Sequence, residues 1–440
     1  MNSRAWTLPV FFTALASLAQ KISLWGVVFL LAKLSSPEVV GQYAWAMAVA
    51  LPITRLASLQ LPQLILTQVH QSFRLGSYFA AHAMAHVVAM GLLGMVLLLS
   101  NASFQTVGLV LAVTCLRAAE GLSELTNAVQ LKHHRVVQAA ALAILRGILG
   151  LVVMATVQIA FGSLLISIAS LTVAWLVFAC CIDAPAAHRA AATTLLDGGR
   201  LASFADLTQL VFSSIPLGGC ALLAVLFACL PRYLLGIWHD AYSLGIFEAL
   251  VAISAPAEIL AQAISRVTAP RFAAALDDRD RQTITHLYVT VGVVNLTLAV
   301  SGTLLVLFFG PALLRIAYSA DYAAYSNLLA VLMLARGVAF LCNYDLLFLC
   351  MSQYRRLAFS WLLPSMVLIA TSLITVPEYG LSGVIVAVLM GNSVRCGFIH
   401  TSLRRSLRSD RYASAVPFQA YVDGRERDGV GPPSPREAAA

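Results

Sequence analysis

Charge is scarce in this sequence. Asp, Glu, Lys and Arg make up 11% of its 440 residues while 60% are hydrophobic, against roughly a quarter charged in a soluble domain. A water-soluble fold of this length needs more polar surface to cover its core, so the apolar residues must face lipid or pack between helices in lipid. Cysteines in paired spacing are also missing: the eight present show no C-x-x-C, which argues against zinc and redox work. No phosphate-binding glycine loop, Ser-His-Asp arrangement or metal motif occurs, and no gap is long enough for an enzymatic domain. No catalytic residue and no cofactor are expected. Not one Asp or Glu occurs from Met1 through Pro37.

The long apolar runs are what remains. Twelve of them, Leu8–Leu34, Tyr43–Leu66, Tyr78–Leu99, Thr106–Leu131, Val136–Phe161, Leu164–Ile182, Leu207–Leu235, Ser243–Ser265, Leu287–Phe309, Tyr322–Leu349, Leu357–Val376 and Leu381–Ile399, have about the length that crosses a 30 Å hydrocarbon core as a helix. The fold class is therefore all-α and polytopic. The net charge of +8 reports orientation and not nucleic-acid binding, because the bases sit in the short gaps. Twelve of them, from Arg4 and Arg74 to Arg355 and Arg356, fall on the side of the N-terminus, and Lys33, Arg232 and Arg315 fall on the other. By the positive-inside rule both termini are cytoplasmic.

An internal repeat divides the chain. Gly41, Tyr43, Ala48 and Pro52 recur as Gly245, Phe247, Ala252 and Pro256 at a constant offset of 204. Parallel repeats of this kind place two bundles about an axis along the membrane normal, with a cavity between them. The expected organisation is an N-terminal bundle over 1–183, a cytoplasmic linker over 184–206, a C-terminal bundle over 207–403 and a polar tail over 404–440. The end of that tail, Gly431-Pro432-Pro433-Ser434-Pro435, is too poor in apolar residues to fold alone.

At the turn Leu34-Ser35-Ser36-Pro37-Glu38-Val39-Val40-Gly41-Gln42-Tyr43 the sequence resembles the polysaccharide-transport flippases, which share a superfamily with the multidrug and toxin exporters. Similar segments follow at Arg232 to Leu235, Leu244 to Phe247, Ala269-Pro270, Gly310-Pro311 through Asp321-Tyr322, and Pro377 to Gly383. The resemblance runs to about Arg404, and each motif is short; its weight lies in their order. It implies a V-shaped pair of six-helix bundles in the bacterial inner membrane that moves an undecaprenyl-pyrophosphate-linked glycan outward. It further implies membrane lipids, a polysaccharide polymerase and a chain-length regulator as partners.

A passenger of that kind brings a pyrophosphate through a region where unpaired charge is costly. Bases deep in the predicted spans, Lys21, Arg55, Arg146, Arg117 and Arg336, are the candidate anion contacts, arginine being suited by its planar fork. Arg117 has Glu120 and Glu124 on its own helical face, which favours a packing pair. Lys21, Arg55 and Arg146 have no acid one turn away, so a partner must come from another helix or from the passenger. Arg336 and Asp345, nine residues apart, point to opposite faces and should not pair. Arg395, near a helix end, is expected to snorkel. Glu120, Glu124, Glu248, Glu258 and Asp345 are candidates for a coupling proton or sodium ion, or else neutralise neighbouring bases. Prolines such as Pro52 and Pro256 are read as hinges or kinks, and Tyr43 and Trp45 as interfacial anchors.

Two other readings compete. A cation-coupled drug exporter of the same fold would depend on intramembrane carboxylates, which the N-terminal segment lacks; a peptidoglycan-precursor flippase resembles a fourteen-helix version. A polymerase or glycosyltransferase would need Asp278-Arg279-Asp280 to act as a D-x-D metal motif, whereas acids among arginines in a loop are usually a solvated turn.

Overall fold

A computed structural model describes residues 23–67, 75–99, 103–133, 135–191, 204–278, 280–351 and 353–408. The described residues are helical almost throughout. The first half comprises α1 (Ser23–Leu34), α2 (Pro37–Ala57), α3 (Leu61–Thr67), α4 (Leu75–Leu99), α5 (Phe104–Lys132), α6 (Val136–Phe161), α7 (Leu164–Phe178), a π-helical turn (Ala179–Asp183) and α8 (Ala184–Ala191). The second comprises α9 (Phe204–Trp238), α10 (Ala241–Asp277), α11 (Arg281–Ala317), α12 (Ala320–Ala323), α13 (Ser326–Phe340), α14 (Asp345–Cys350) and α15 (Tyr354–Arg408). Nine helical stretches among the described residues are long and apolar enough to cross a bilayer, and two shorter apolar helices, α1 and α13, accompany them. Their outer faces carry lipid-suited side chains: Leu99, Phe104, Ile159, Phe308 and Ile374 are all exposed, far more apolar surface than a water-soluble protein presents.

The 55 residues of α15 form two spans and not one. At about 1.5 Å per residue a straight helix of that length would be more than twice the bilayer core. Gly380 breaks it with φ 54° and ψ −122°, a backbone state that favours glycine. The halves then fold back as an antiparallel hairpin: Thr375 Oγ1 donates to the Gly383 carbonyl at 3.0 Å, and Arg356 reaches Ser406. Gly391 lies against Leu368 and Pro364. This break falls where the sequence put the boundary between its last two spans.

Three boundaries differ from the sequence reading. The sixth span does not stop at Ile182 but continues through the π turn and α8 to Ala191, into the segment assigned to the linker; Ala186, Ala187 and Ala190 pack inward there. The second span is interrupted between α2 and α3, where Leu59 (φ 50°) and Gln60 (φ 52°) are left-handed. Neither is glycine, so each costs roughly 1–2 kcal/mol. The tenth span is broken between α13 and α14, where Ser265 donates to the Asn343 carbonyl at 2.9 Å and Tyr344 donates to that of Tyr288 at 2.9 Å. Asp280 caps α11 by accepting the Thr283 N–H at 3.0 Å.

The core is shared at one end of the molecule and divided at the other. One apolar cluster takes residues from both halves, among them Val40, Tyr43, Ala46 and Trp175 from the first and Leu244, Phe247, Leu250 and Tyr322 from the second. At the opposite end each half has its own. Leu61, Leu64, Tyr78, Leu125 and Ala187 pack together in the first half, and Phe272, Leu287, Phe348, Leu357 and Ile399 in the second. Tyr43 and Trp45 belong to the joined end rather than to an interfacial belt: Tyr43 lies in the shared core and Trp45 packs edge-on against Tyr233, 6.1 Å between ring centroids.

Candidate functional site

The joined end is built on two glycines. α2 and α10 start beside each other and run the same way through the membrane, as their repeat requires. A Cβ on Gly41 would collide with the carbonyl oxygen of Ala241, and one on Gly245 with that of Pro37. Backbone meets backbone, as in other close helix crossings built on small residues. Tyr233 adds a hydrogen bond from its hydroxyl to the Ala48 carbonyl at 2.5 Å, and Lys33 donates to the Ile316 and Tyr318 carbonyls at 3.2 and 3.3 Å. All of these cross from one half to the other.

Away from this seam, the bases singled out in the sequence are met by carboxylates. Arg117 binds Glu120 one turn along α5. Arg146 on α6 meets Asp183 in the π turn at 3.2 Å, with side chains 3% and 1% exposed. Trp175 closes over this pair, its ring centroid 5.6 Å from the Arg146 guanidinium. Arg395 does not snorkel. It is buried, donates from Nη2 to both oxygens of Asp345 at 2.8 Å and lies 3.4 Å from the Trp361 ring centroid; charge-assisted hydrogen bonds and an aromatic face hold a desolvated guanidinium. Arg336 pairs with Glu258 at 3.1 Å and not with Asp345. Lys21 lies outside the described residues.

Two of these pairs join corresponding spans of the halves, although the offset of 204 does not superimpose their residues. Arg55 on α2 faces Glu124 on α5 at 3.7 Å, and Glu258 on α10 faces Arg336 on α13 at 3.1 Å. The second and fourth spans of one half thus correspond to those of the other, with the signs exchanged. These are also the pairs least withdrawn from solvent-sized space, their side chains 33% and 29% exposed in the first and 34% and 25% in the second. Arg55 continues the stripe Gly41, Trp45, Ala48, Pro52 along α2, toward the end where the halves have separate cores. At 3.7 Å its contact with Glu124 is longer than a direct hydrogen bond, so the guanidinium keeps donors for another acceptor.

Sequence reasoning missed two charged contacts. Asp183 was assigned to the edge of a loop, and the helix that carries it into the core has no turn signal to mark it. Arg232, placed in an outer loop, holds Glu248 with Nε to Oε2 at 2.8 Å and Nη2 to Oε1 at 3.0 Å. Their spacing across the α9–α10 turn is 16 residues, which no single-helix rule detects.

The described residues thus form two joined halves of membrane-spanning helices, with charge pairs between spans and separate cores at one end. Solved structures agree on the fold. The chain superimposes on the lipid II flippase MurJ in an inward closed conformation with a TM-score of 0.67 and 11% identity, covering 90% of this chain and 87% of that one. On the inward-facing conformation of a multidrug resistance MATE family transporter of the MOP superfamily the TM-score is 0.65 and the identity 13%, over 90% and 96% of the two chains. No protein-family model matches. Among curated proteins, the capsular polysaccharide biosynthesis protein CapF of Staphylococcus aureus is 21% identical over 318 residues, 72% of this chain and 78% of the relative. The resemblance read from the short motifs thus stands at the level of fold, and a capsule protein is among the sequence relatives.

Proposed function

We propose that this protein is a flippase for an undecaprenyl-pyrophosphate-linked oligosaccharide, an O-antigen, capsule or exopolysaccharide repeat unit, carried from the cytoplasmic to the periplasmic leaflet of the bacterial inner membrane. The observation that carries the reading is the division of the core: one shared cluster at the Gly41–Gly245 end and separate clusters at the other. With the basic loops cytoplasmic, the divided end opens toward the leaflet where such a lipid would be loaded. Closing there and parting at the glycine seam would release it outward.

Arg55 is the leading anion contact and Arg336 the second, since both sit between spans in pairs that remain about a quarter to a third exposed. A phosphate oxygen can replace the distant Glu124 carboxylate on Arg55 at small cost, whereas Arg146 is committed to a buried partner and Arg395, itself buried, to both oxygens of Asp345. Arg117, held by Glu120, is retained as a secondary candidate. Lys21 keeps its place in the proposal from sequence alone. Outward movement of an anionic head group is also driven by the membrane potential, about 2.3 kcal/mol per charge per 100 mV. Glu120, Glu124, Glu248, Glu258 and Asp345 each face a base, so an ion that binds them competes with that base. The relation to CapF favours a glycan passenger, with a polymerase and a chain-length regulator acting next.

A cation-coupled drug exporter is the second reading, favoured by the partly exposed carboxylates Glu124 and Glu258. Deleting the gene and assaying the sidedness of lipid-linked glycan separates the two. Cytoplasmic accumulation is expected; normal sidedness with a new drug sensitivity would favour the exporter, and altered chain length a polymerase.

A further inference from the structure

Two histidines in α4 take no part in the account so far. His82 and His86 are 4% and 5% exposed, one helical turn apart, with ring centroids separated by 4.1 Å. His82 enters a notch in α5: a Cβ on Gly121 would lie 2.7 Å from its Cε1. Each ring is fixed by a backbone carbonyl, His82 Nε2 to Ala118 at 3.2 Å and His86 Nδ1 to His82 at 2.8 Å. A carbonyl oxygen only accepts, so these two nitrogens carry hydrogens. In the neutral rings, Nδ1 of His82 and Nε2 of His86 are therefore the basic nitrogens. Neither makes a hydrogen bond among the described residues. Two oriented, buried bases without donors constitute a place for a proton, whose charge burial opposes and the nearby Glu124 carboxylate favours. At this ring separation two charges would repel, so the pair holds one proton at a time.

The surroundings give that proton a consequence. From α5 the pair faces Glu124, whose charge reaches His82, and Arg117, whose charge reaches His86, with Glu120 bound to Arg117. From α2 comes Arg55 through Glu124. Tyr78 precedes the pair on α4, and α9 carries Cys220, Cys229, Arg232 and Tyr233 along the length whose side chains are described. We propose that His82 and His86 form a proton-binding site whose occupancy sets how firmly Glu124 holds Arg55. With the pair neutral, Arg55 is the chief cation for Glu124. With a proton on His82, Glu124 is shared between two cations, and Arg55 is freed to bind an anionic head group. Proton uptake and anion binding then assist each other. This rests on the flippase reading for the identity of the anion but not for the existence of the proton site.

The test uses the full chain in nanodiscs with 13C-labelled histidine, the two rings being assigned by the signals lost in H82Q and H86Q. One of the two rings is expected to titrate between pH 4 and pH 7. Removing the carboxylate in E124Q should lower that midpoint by about half to one pH unit, and R55Q should raise it. Both variants alter partly exposed residues, so they report even if a histidine variant fails to fold. Binding of undecaprenyl pyrophosphate should strengthen about three- to tenfold from pH 8 to pH 5 and lose that dependence in H82Q. Rings that do not titrate, midpoints unmoved in E124Q and R55Q, or a pH dependence retained in H82Q would each overturn the proposal. Midpoints that move as expected, with no binding of the lipid at any pH, would support the proton site and count against the substrate reading instead.

Discussion

Gly41 and Gly245, 204 residues apart in sequence, meet across the two halves, the Gly41 amide nitrogen lying 3.0 Å from where a Gly245 Cβ would be. Each glycine faces the backbone carbonyl at the repeat-related position of the other half, Ala241 and Pro37. The repeat seen in sequence is thus a self-complementary contact in space, and it joins the halves at the end expected to face outward.

That contact predicts a bias. G41A or G245A should oppose closure of the seam by about 1–3 kcal/mol, the usual cost of overpacking. Spin labels on opposite sides of the seam should report longer distances in either variant than in the parent chain. Unchanged distances would mean that the glycines merely fit and do not set the closed state.

The Arg146–Asp183 pair is expected to hold the fold and not the passenger. Neither side chain is more than 3% exposed, so D183N leaves a buried guanidinium without its counter-charge, at a cost of about 3–5 kcal/mol. Thermal unfolding in detergent should show a large loss for D183N. A small loss accompanied by impaired export would move Arg146 back among the ligand contacts.

Arg55 should behave oppositely. Its pair with Glu124 is long and a third exposed, and pairs of that kind contribute about 0–1 kcal/mol. R55Q should therefore melt near the parent temperature while weakening binding of undecaprenyl pyrophosphate at least tenfold. Equal binding by R55Q and the parent would remove Arg55 from the site.

The exchanged signs of the two pairs on corresponding spans invite a further comparison. Reversing the second pair, as R336E with E258R, should restore most of the stability lost in R336E alone, because the pair is only partly buried. Thermal unfolding of the two single variants and the double variant measures this coupling directly. A double variant no better than the worse single one would show that the 3.1 Å contact is not energetically coupled.

Much of this was legible in the sequence because the bilayer imposes it. Span length and the shortage of charge follow from hydrocarbon thickness, and the glycine, aromatic and proline repeat marked the halves. The break at Leu59-Gln60 has a signal in Pro62, in the first turn of α3, whereas no proline or glycine stands between α13 and α14, where tertiary hydrogen bonds such as Ser265 to Asn343 accompany the break. Partners were the other blind spot. Sequence spacing excluded Arg336 with Asp345, but the true partners Glu258 and Arg395 lie on other spans, 78 and 50 residues away. Asp183 was hidden because a helix end and a loop start look alike in an alanine-rich stretch.

The most direct test reconstitutes the purified protein in liposomes with lipid-linked glycan extracted from cells lacking it. A glycan-cleaving enzyme outside digests only what faces outward. The account predicts that the protein exposes the enclosed fraction of the glycan to digestion, and that R55Q does so at least tenfold more slowly. A protected fraction identical to that of protein-free liposomes would contradict it.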